Sequence, residues 1–214
     1  MAAHSVIVHE TARTRLNVDD RRAQLLEVGL RLFSQHAYDE VSIDDIAKAA
    51  DASKGLLYHY FGGKRAFYVA CVEDAADQLY EQTEMDADLP EAERARAGLE
   101  AYFDYAEARE EAYLALMRSG IGTDPEVAAV LDRTRARIVG RALRGIGLDE
   151  PRPLFVAATR VWVGSVEAAC LHWLIERDVP RAAIVELLLN SLYALTVTAM
   201  KLDPEAPVQL PLPE

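Results

Sequence analysis

Lys54, Tyr58, His59 and Tyr60 share one short run with Gly55, Ser53-Lys54-Gly55-Leu56-Leu57-Tyr58-His59-Tyr60, and Lys64 follows it closely. Their groups are an ammonium, phenol hydroxyls and an imidazole N–H. Groups of this kind bond phosphate and sugar oxygens and stack on rings. A glycine among them lets a backbone come close to a polyanion. Lys54 falls at the start of a helix, where bases and phosphates are within reach. Lys64 opens the following helix, where it can meet a phosphate together with the helix N-terminal amides.

The flanking residues predict how this run is held. Ser42-Ile43-Asp44-Asp45 reads as a helix cap with an acid three places on, a capping box with Asp for Glu. Ile46, Ala47 and Ala50 give residues 43–50 a buried face. Asp51-Ala52-Ser53 is a turn, and Asp tolerates the left-handed conformation better than most non-glycine residues. Residues 54–60 form a second short helix, with Phe61 anchoring it to a core. Two short helices joined in this way make a helix-turn-helix, which lays its second helix in the major groove.

The rest of the chain reads as helices, without strand-like alternation. Helices are expected over 19–36, Lys64–Met85, 91–109, 111–118, 125–143, 153–177 and 180–200. Gly62-Gly63, the stretch around Pro90, Ser119–Pro125, Gly145–Pro153 and Asp178–Pro180 break them. The fold class expected is all-α. Residues 1–18 form an N-terminal arm, 19–64 a DNA-binding domain, 65–203 a helical regulatory and dimerisation domain, and 204–214 a proline-rich tail.

Composition agrees with a folded chain: 51% of the 214 residues are hydrophobic and 27% charged. The net charge of −12 argues against nucleic acid until its distribution is seen. Residues 1–64 hold eight Lys/Arg against nine Asp/Glu, whereas residues 65–214 hold 15 against 26. An acidic body confines contact with DNA to one end. Residues 1–18 have no apolar signal core, and the apolar stretches 153–175 and 187–200 read as buried helices, so a cytoplasmic location off the membrane is expected.

Residues 21–72, and above all Ser53–Lys64 (SKGLLYHYFGGK), closely resemble the DNA-binding domain of TetR/AcrR transcriptional regulators. The resemblance implies an all-α homodimer in which three helices read DNA and a fourth links them to a ligand-binding body. It makes Ser42 and Lys64 phosphate contacts and Lys54 and Gly55 groove contacts. Tyr58, His59 and Tyr60 become backbone or base contacts. Ala37 and Asp51 stand where the family usually has glycine. By family habit the chain is a repressor that binds a pseudo-palindromic operator as a dimer and is released by a small apolar effector. Gating by a protein partner, or no gating, is the alternative.

Tyr102, Tyr105, Tyr113, Met117, Phe155 and Trp162 are the candidate effector-binding residues, because the central helices carry more aromatic and sulfur side chains than a minimal core requires. Leu188, Leu192 and Leu195 repeat at i, i+4 and i+7, and Gly164, Ser165 and Ala168 allow close helix approach. These six residues are the expected dimer interface, a four-helix bundle across a twofold axis. Arg133, Arg135 and Arg137 read as a solvated helix face. Cys71 and Cys170 read as buried thiols, and His172 with Glu176 lack a third metal ligand. No metal or cofactor is expected. No nucleophile–base pair, glycine-rich phosphate loop or metal set appears, so an enzyme is not expected.

Overall fold

The computed structural model describes residues 18–84, 88–118, 124–150, 152–206 and 208. Among them lie nine helices and no strand: α1 (Val18–Gln35), α2 (Ile43–Ala49), α3 (Lys54–Phe61), α4 (Lys64–Gln82), α5 (Glu91–Ala108), α6 (Glu110–Arg118), α7 (Pro125–Gly145), α8 (Pro153–Glu176) and α9 (Arg181–Leu202). The fold is all-α. Most of the arm, the loop before Asp124 and most of the tail lie outside the described residues. Within the tail, Val208 is buried against the main core.

The helix limits follow from local chemistry. Ser42 caps α2 through a complete capping box: its hydroxyl oxygen accepts from the Asp45 amide at 3.1 Å, and its amide donates to the Asp45 carboxylate at 3.0 Å. Ser53 caps α3 by accepting from the Leu56 amide at 3.2 Å. Gly62, with φ at 78°, ends α3 in the left-handed region that suits glycine. Asp124 caps α7 by accepting from the Glu126 and Val127 amides, and Pro125 follows it at the first turn.

Two apolar cores share one helix. The first unites α1, α2, α3 and the first half of α4, around Leu25, Leu26, Ile46, Leu57 and Phe67, and takes in Val127 and Val130 of α7. The second lies among α5 to α9, around Phe103, Leu143, Phe155, Trp173 and Val185. Leu79, near the end of α4, packs against this second core. α4 therefore belongs to the head by its start and to the body by its end. α1 rests on α4 and on α6, and α8 lies along α9. The Trp162 indole N–H donates to the Leu188 carbonyl at 2.9 Å, tying α8 to α9.

Two close fits in the head have measurable consequences. Gly29 faces Phe67 and Cys71 so tightly that an added Cβ would lie 2.4 Å from the Phe67 ring and 2.7 Å from the Cys71 sulfur. Asp51, where the family usually has glycine, takes φ at 44°, and the Arg21 guanidinium donates to its carbonyl at 2.7 Å and to that of Ala50 at 3.3 Å. Ala37, the other departure, needs no positive φ. Gly29→Ala should lower stability by about 1–3 kcal/mol through overpacking. Asp51→Gly should relieve the left-handed strain and raise stability by about 0.5–1 kcal/mol. Thermal unfolding of the two variants should move in opposite directions; a Gly29→Ala protein as stable as the parent would refute the packing argument.

Candidate functional site

α3 is anchored from beneath and open above. Leu57 and Phe61 are buried, and the Phe61 ring meets Phe67 edge-on at 4.8 Å. Lys54, Gly55, Tyr58 and His59 are exposed, with Tyr58 at 53%, unusual for a large aromatic side chain. Tyr60 is half-buried and packs against the head core. A Cβ at Gly55 would meet nothing nearer than the Ser53 hydroxyl oxygen at 3.9 Å. Packing within the chain therefore does not require glycine there, and what remains is space above the helix.

The charged groups on this face are held by neighbours that the sequence reading did not single out. Lys54 is ion-paired with Asp44 of α2, both well exposed. The Lys64 ammonium sits 4.3 Å above the Tyr38 ring. The Ser42 hydroxyl also donates to the Asp45 carboxylate at 2.5 Å, and the Ser42 hydrogen bonds hold Asp45 below the usual carboxylate range. Ser42 is exposed at the start of α2, but its hydroxyl proton is already engaged. Phosphate contact by Ser42 must redirect that proton.

Behind the head, a cavity of about 510 Å³ runs through the body, within the usual range for small-molecule sites. Tyr102, Tyr105, Tyr113, Met117 and Trp162 line it, as do Leu30 and Phe33 of α1. Phe155 does not: it is 1% exposed and packed within the second core. The lining follows α4 from Tyr68 to Tyr80 and continues to Thr83 and Glu84 just beyond its end.

Polar groups on the wall are sparse and placed. The Tyr102 and Tyr113 hydroxyls share a buried hydrogen bond of 2.8 Å, and burial drives both phenols well above their usual pKa. Tyr105 donates to the Ala75 carbonyl at 2.7 Å, and burial pushes its pKa up to about 12. Arg135 pairs with Glu167 at 2.8 Å. One end of the cavity reaches the surface beside the exposed Glu84 and Arg144, and Arg94 and Arg141 line the same end. Arg141 is half-buried and donates to two neutral acceptors, the Tyr80 carbonyl at 2.7 Å and the Thr83 hydroxyl at 2.6 Å. Burial first, then the Arg137 and Arg144 charges, pull its pKa down against the opposing pull of Tyr80 and Glu84.

The six residues expected at a dimer interface do not share one surface. Gly164 and Ala168 are exposed on α8, and Ser165 is half-buried with its hydroxyl donating to the Trp162 carbonyl at 2.7 Å. Leu188 is 3% exposed inside the subunit's own core, Leu192 lines the cavity, and Leu195 is half-buried against that core. The leucine stripe of α9 faces inward because α8 and α5 cover it. Along α8 and α9 the large apolar side chains left outside are Val161 at 62%, Leu187 at 66%, Leu202 at 69% and, less fully, Ile175.

Of the arginines read as a solvated face, Arg133 and Arg137 are exposed and Arg135 is half-buried, and all three are also ion-paired to neighbouring helices. Arg133 pairs with Glu73 at 3.0 Å and Arg137 with Asp77, both across to α4, while Arg135 reaches α8. An i, i+4 run of arginines looks the same in sequence whether it meets water or a parallel helix. Burial pushes the Cys71 thiol well up and Cys170 up to about 12, so neither is a thiolate at neutral pH. His172 contacts Asp178 at 3.2 Å.

Residues 25–71 match the family model described as bacterial regulatory proteins, tetR family, and residues 91–195 match that of the tetracyclin repressor-like C-terminal domain. The chain is similar to the HTH-type transcriptional activator FasR of Mycolicibacterium smegmatis, with 31% identity over 80% of this chain and 81% of that protein. Among solved structures it is similar to a tetR-family transcriptional regulator from Streptomyces coelicolor, with 34% identity, a TM-score of 0.77, and 89% and 86% of the two chains covered. FadR from Bacillus subtilis, solved in complex with stearoyl-CoA, shares the fold at 18% identity and a TM-score of 0.62, over 81% of this chain and 96% of that one. The chain belongs to the tetR family and is a DNA-binding transcriptional regulator, not an enzyme.

Proposed function

We propose that this regulator binds a pseudo-palindromic operator as a homodimer, in the cytoplasm, and lets go when a long-chain amphiphile fills the cavity. The exposed face of α3 supports the DNA contacts: Lys54, Gly55, Tyr58 and His59 enter the major groove or its rim, while Ser42, Tyr60 and Lys64 meet the backbone. A dimer places two α3 helices one helical turn of DNA or more apart. Effector-free protein is the DNA-bound form. Bound across a promoter it represses, the family habit; bound upstream it activates, the sign in FasR's name.

The observation that carries the effector reading is the lining and charge of the cavity. A mostly apolar wall suits an alkyl chain, and an end lined by Arg94, Arg141 and Arg144 suits an anionic head group. The stearoyl-CoA held by FadR from Bacillus subtilis has this chemistry. A ligand shifts operator binding only through its preference for the DNA-incompetent state. Its tail would touch Leu30 and Phe33 of the head directly.

For the dimer, the outward side of α8 and α9 supports the contact, with Val161 and Leu187 as large apolar groups and Gly164 and Ala168 as the small surfaces between them. Leu187→Arg should give soluble monomers by light scattering. Leu188→Arg should instead unfold the subunit, because it buries an unpaired charge at a cost of several kcal/mol, about 3–5. A folded Leu187→Arg dimer would move the interface elsewhere.

Operator binding is tested by fluorescence anisotropy on the upstream DNA. Lys54→Ala with Tyr58→Ala should abolish binding at an unchanged melting temperature. Gly55→Ala should keep or slightly raise stability, by about 0.5–1 kcal/mol, while weakening operator binding. Normal DNA binding by the double variant would refute the assignment of α3.

The effector is tested with stearoyl-CoA, stearate and free coenzyme A. Stearoyl-CoA should raise the melting temperature and weaken operator binding about 5- to 150-fold. Trp162→Ala should alter that response, and Arg141→Gln should weaken stearoyl-CoA far more than stearate. A complete lack of response to all three probes would turn the reading towards a protein partner or ungated binding.

A further inference from the structure

α4 and α7 run parallel with matched charges. Glu73, Asp77 and Glu81 recur every fourth residue on α4, and Arg133, Arg137 and Arg141 do the same on α7. Arg133 pairs with Glu73 at 3.0 Å, Arg137 pairs with Asp77, and Arg141 bonds Tyr80 and Thr83, on either side of Glu81. A ladder whose repeat is close to one helical turn does not define one register. If α4 slides a turn, about 5.4 Å, Arg137 meets Glu73, or Arg133 meets Asp77, and two Arg–carboxylate rungs re-form in either direction. The apolar ridge of α4 beneath this ladder, Tyr68, Val72 and Ala76, has the same four-residue step.

At the end of the seam nearest α3 the polarity reverses. Arg65 of α4 donates through Nε and Nη2 to the two oxygens of Asp124, both at 3.1 Å, and through Nη1 to Glu126 at 2.9 Å. This contact has no copy one turn away. A slide in one sense brings Arg65 level with Ala128 and Ala129. A slide in the other carries it past the start of α7, where the sequence has no carboxylate between Glu111 and Asp124.

We propose that Arg65 and Asp124 are positioning residues that select one of two helical registers of α4 on α7, and so fix where the reading head sits on the body. Lys64, the proposed phosphate contact, is next to Arg65 in the first turn of α4, so a change of register is felt at once on the DNA face. One-turn ratchets of packed elements are a known form of switching. The inference rests on the α4–α7 seam alone and needs no particular effector.

Two variants test it in the full-length dimer. Asp124→Asn keeps an oxygen to cap α7, accepting from the Glu126 amide now at 2.9 Å, but removes the charge that Arg65 grips. It also leaves Arg65 in place, so any direct contact of Arg65 with DNA is preserved. Arg65→Ala removes the other partner. Nitroxide labels at Ala66 on α4 and Ala129 on α7, both exposed, report the register by pulsed electron resonance in dimers diluted with unlabelled chain; the native Cys71 and Cys170 are buried.

The parent should give one distance. Both variants should add a second population at a distance distinct from the parent's, with operator affinity lowered threefold to tenfold. Arg65→Lys should return part of the population to the parent distance. A single parental distance in both variants overturns the proposal. That holds whether the melting temperature is unchanged or lowered, since a drop with unchanged register would make the contact a structural support only.

Discussion

α4 is held by two apolar cores at once, and the rest of the molecule follows from that constraint. Phe67, Tyr68, Cys71 and Val72 are buried with the helix-turn-helix, while Leu79 packs against the core of the body. A straight helix gripped at both ends cannot move at one end alone. Leu79, Tyr80 and Thr83 at its second half line the cavity, and its first half is the one on which α3 stands. α1 adds a second path, since it packs on α4 and also lends Leu30 and Phe33 to the cavity wall. A cavity in such a place is walled by residues of the head and of the body alike. A well-packed core passes on displacement because it has few voids to absorb it.

The cavity itself has to be reconciled with stability. An empty apolar space costs free energy in proportion to its volume, and the Tyr102–Tyr113 hydroxyl pair and the Arg135–Glu167 ion pair on its wall add the cost of removing polar groups from water. The hydroxyls satisfy one another, and the charges satisfy one another, so these costs are moderated. Arg141 differs: its hydrogen-bond partners are neutral, and burial presses its pKa down. A cation in that position gains more from an incoming anion than one already neutralised by a carboxylate. The end of the cavity that holds it is thus the end at which the proposed head group would find a cation without a carboxylate among its hydrogen-bond partners.

What could be read from the sequence was whatever depends on neighbours in the chain. The Ser42–Asp45 box, the Ser53 cap, the Gly62 stop and the Asp124-Pro125 start are all set within four residues, and the limits of α2, α3 and the start of α7 follow from them. Family membership was legible because Ser53–Lys64 is short and specific. Rotation of a helix about its axis was not. α9 is apolar on most sides, so the stripe Leu188, Leu192, Leu195 and its neighbour Leu187 look equally suited to a partner; only the cover given by α8 and α5 turns the stripe inward and leaves Leu187 outside. Phe155 was misjudged for the same reason, its helix turning it into the core and Trp162 to the cavity. Arg21, Asp44 and Arg65 act across pairs of elements, and no spacing along the chain announces a partner that lies elsewhere in it.

The acidity of the chain is consistent with DNA binding once its cost is placed. The body carries most of the −12 net charge, while the head is near neutral, so repulsion grows if anything other than α3 and the adjacent helix starts approaches the duplex. Lys54 is not held in reserve at great cost. Its pair with Asp44 is well exposed on both sides, and such pairs contribute only about 0–1 kcal/mol. A phosphate, with its neighbours along the strand, competes easily for the same ammonium, and the release of counterions from DNA favours the exchange. In the proposed complex Asp44 would stand beside a strand of like charge and disfavour any anion that offers Lys54 less. The ion pair would then cost some affinity and narrow what the helix accepts, a trade that suits a regulator with one site to find among many.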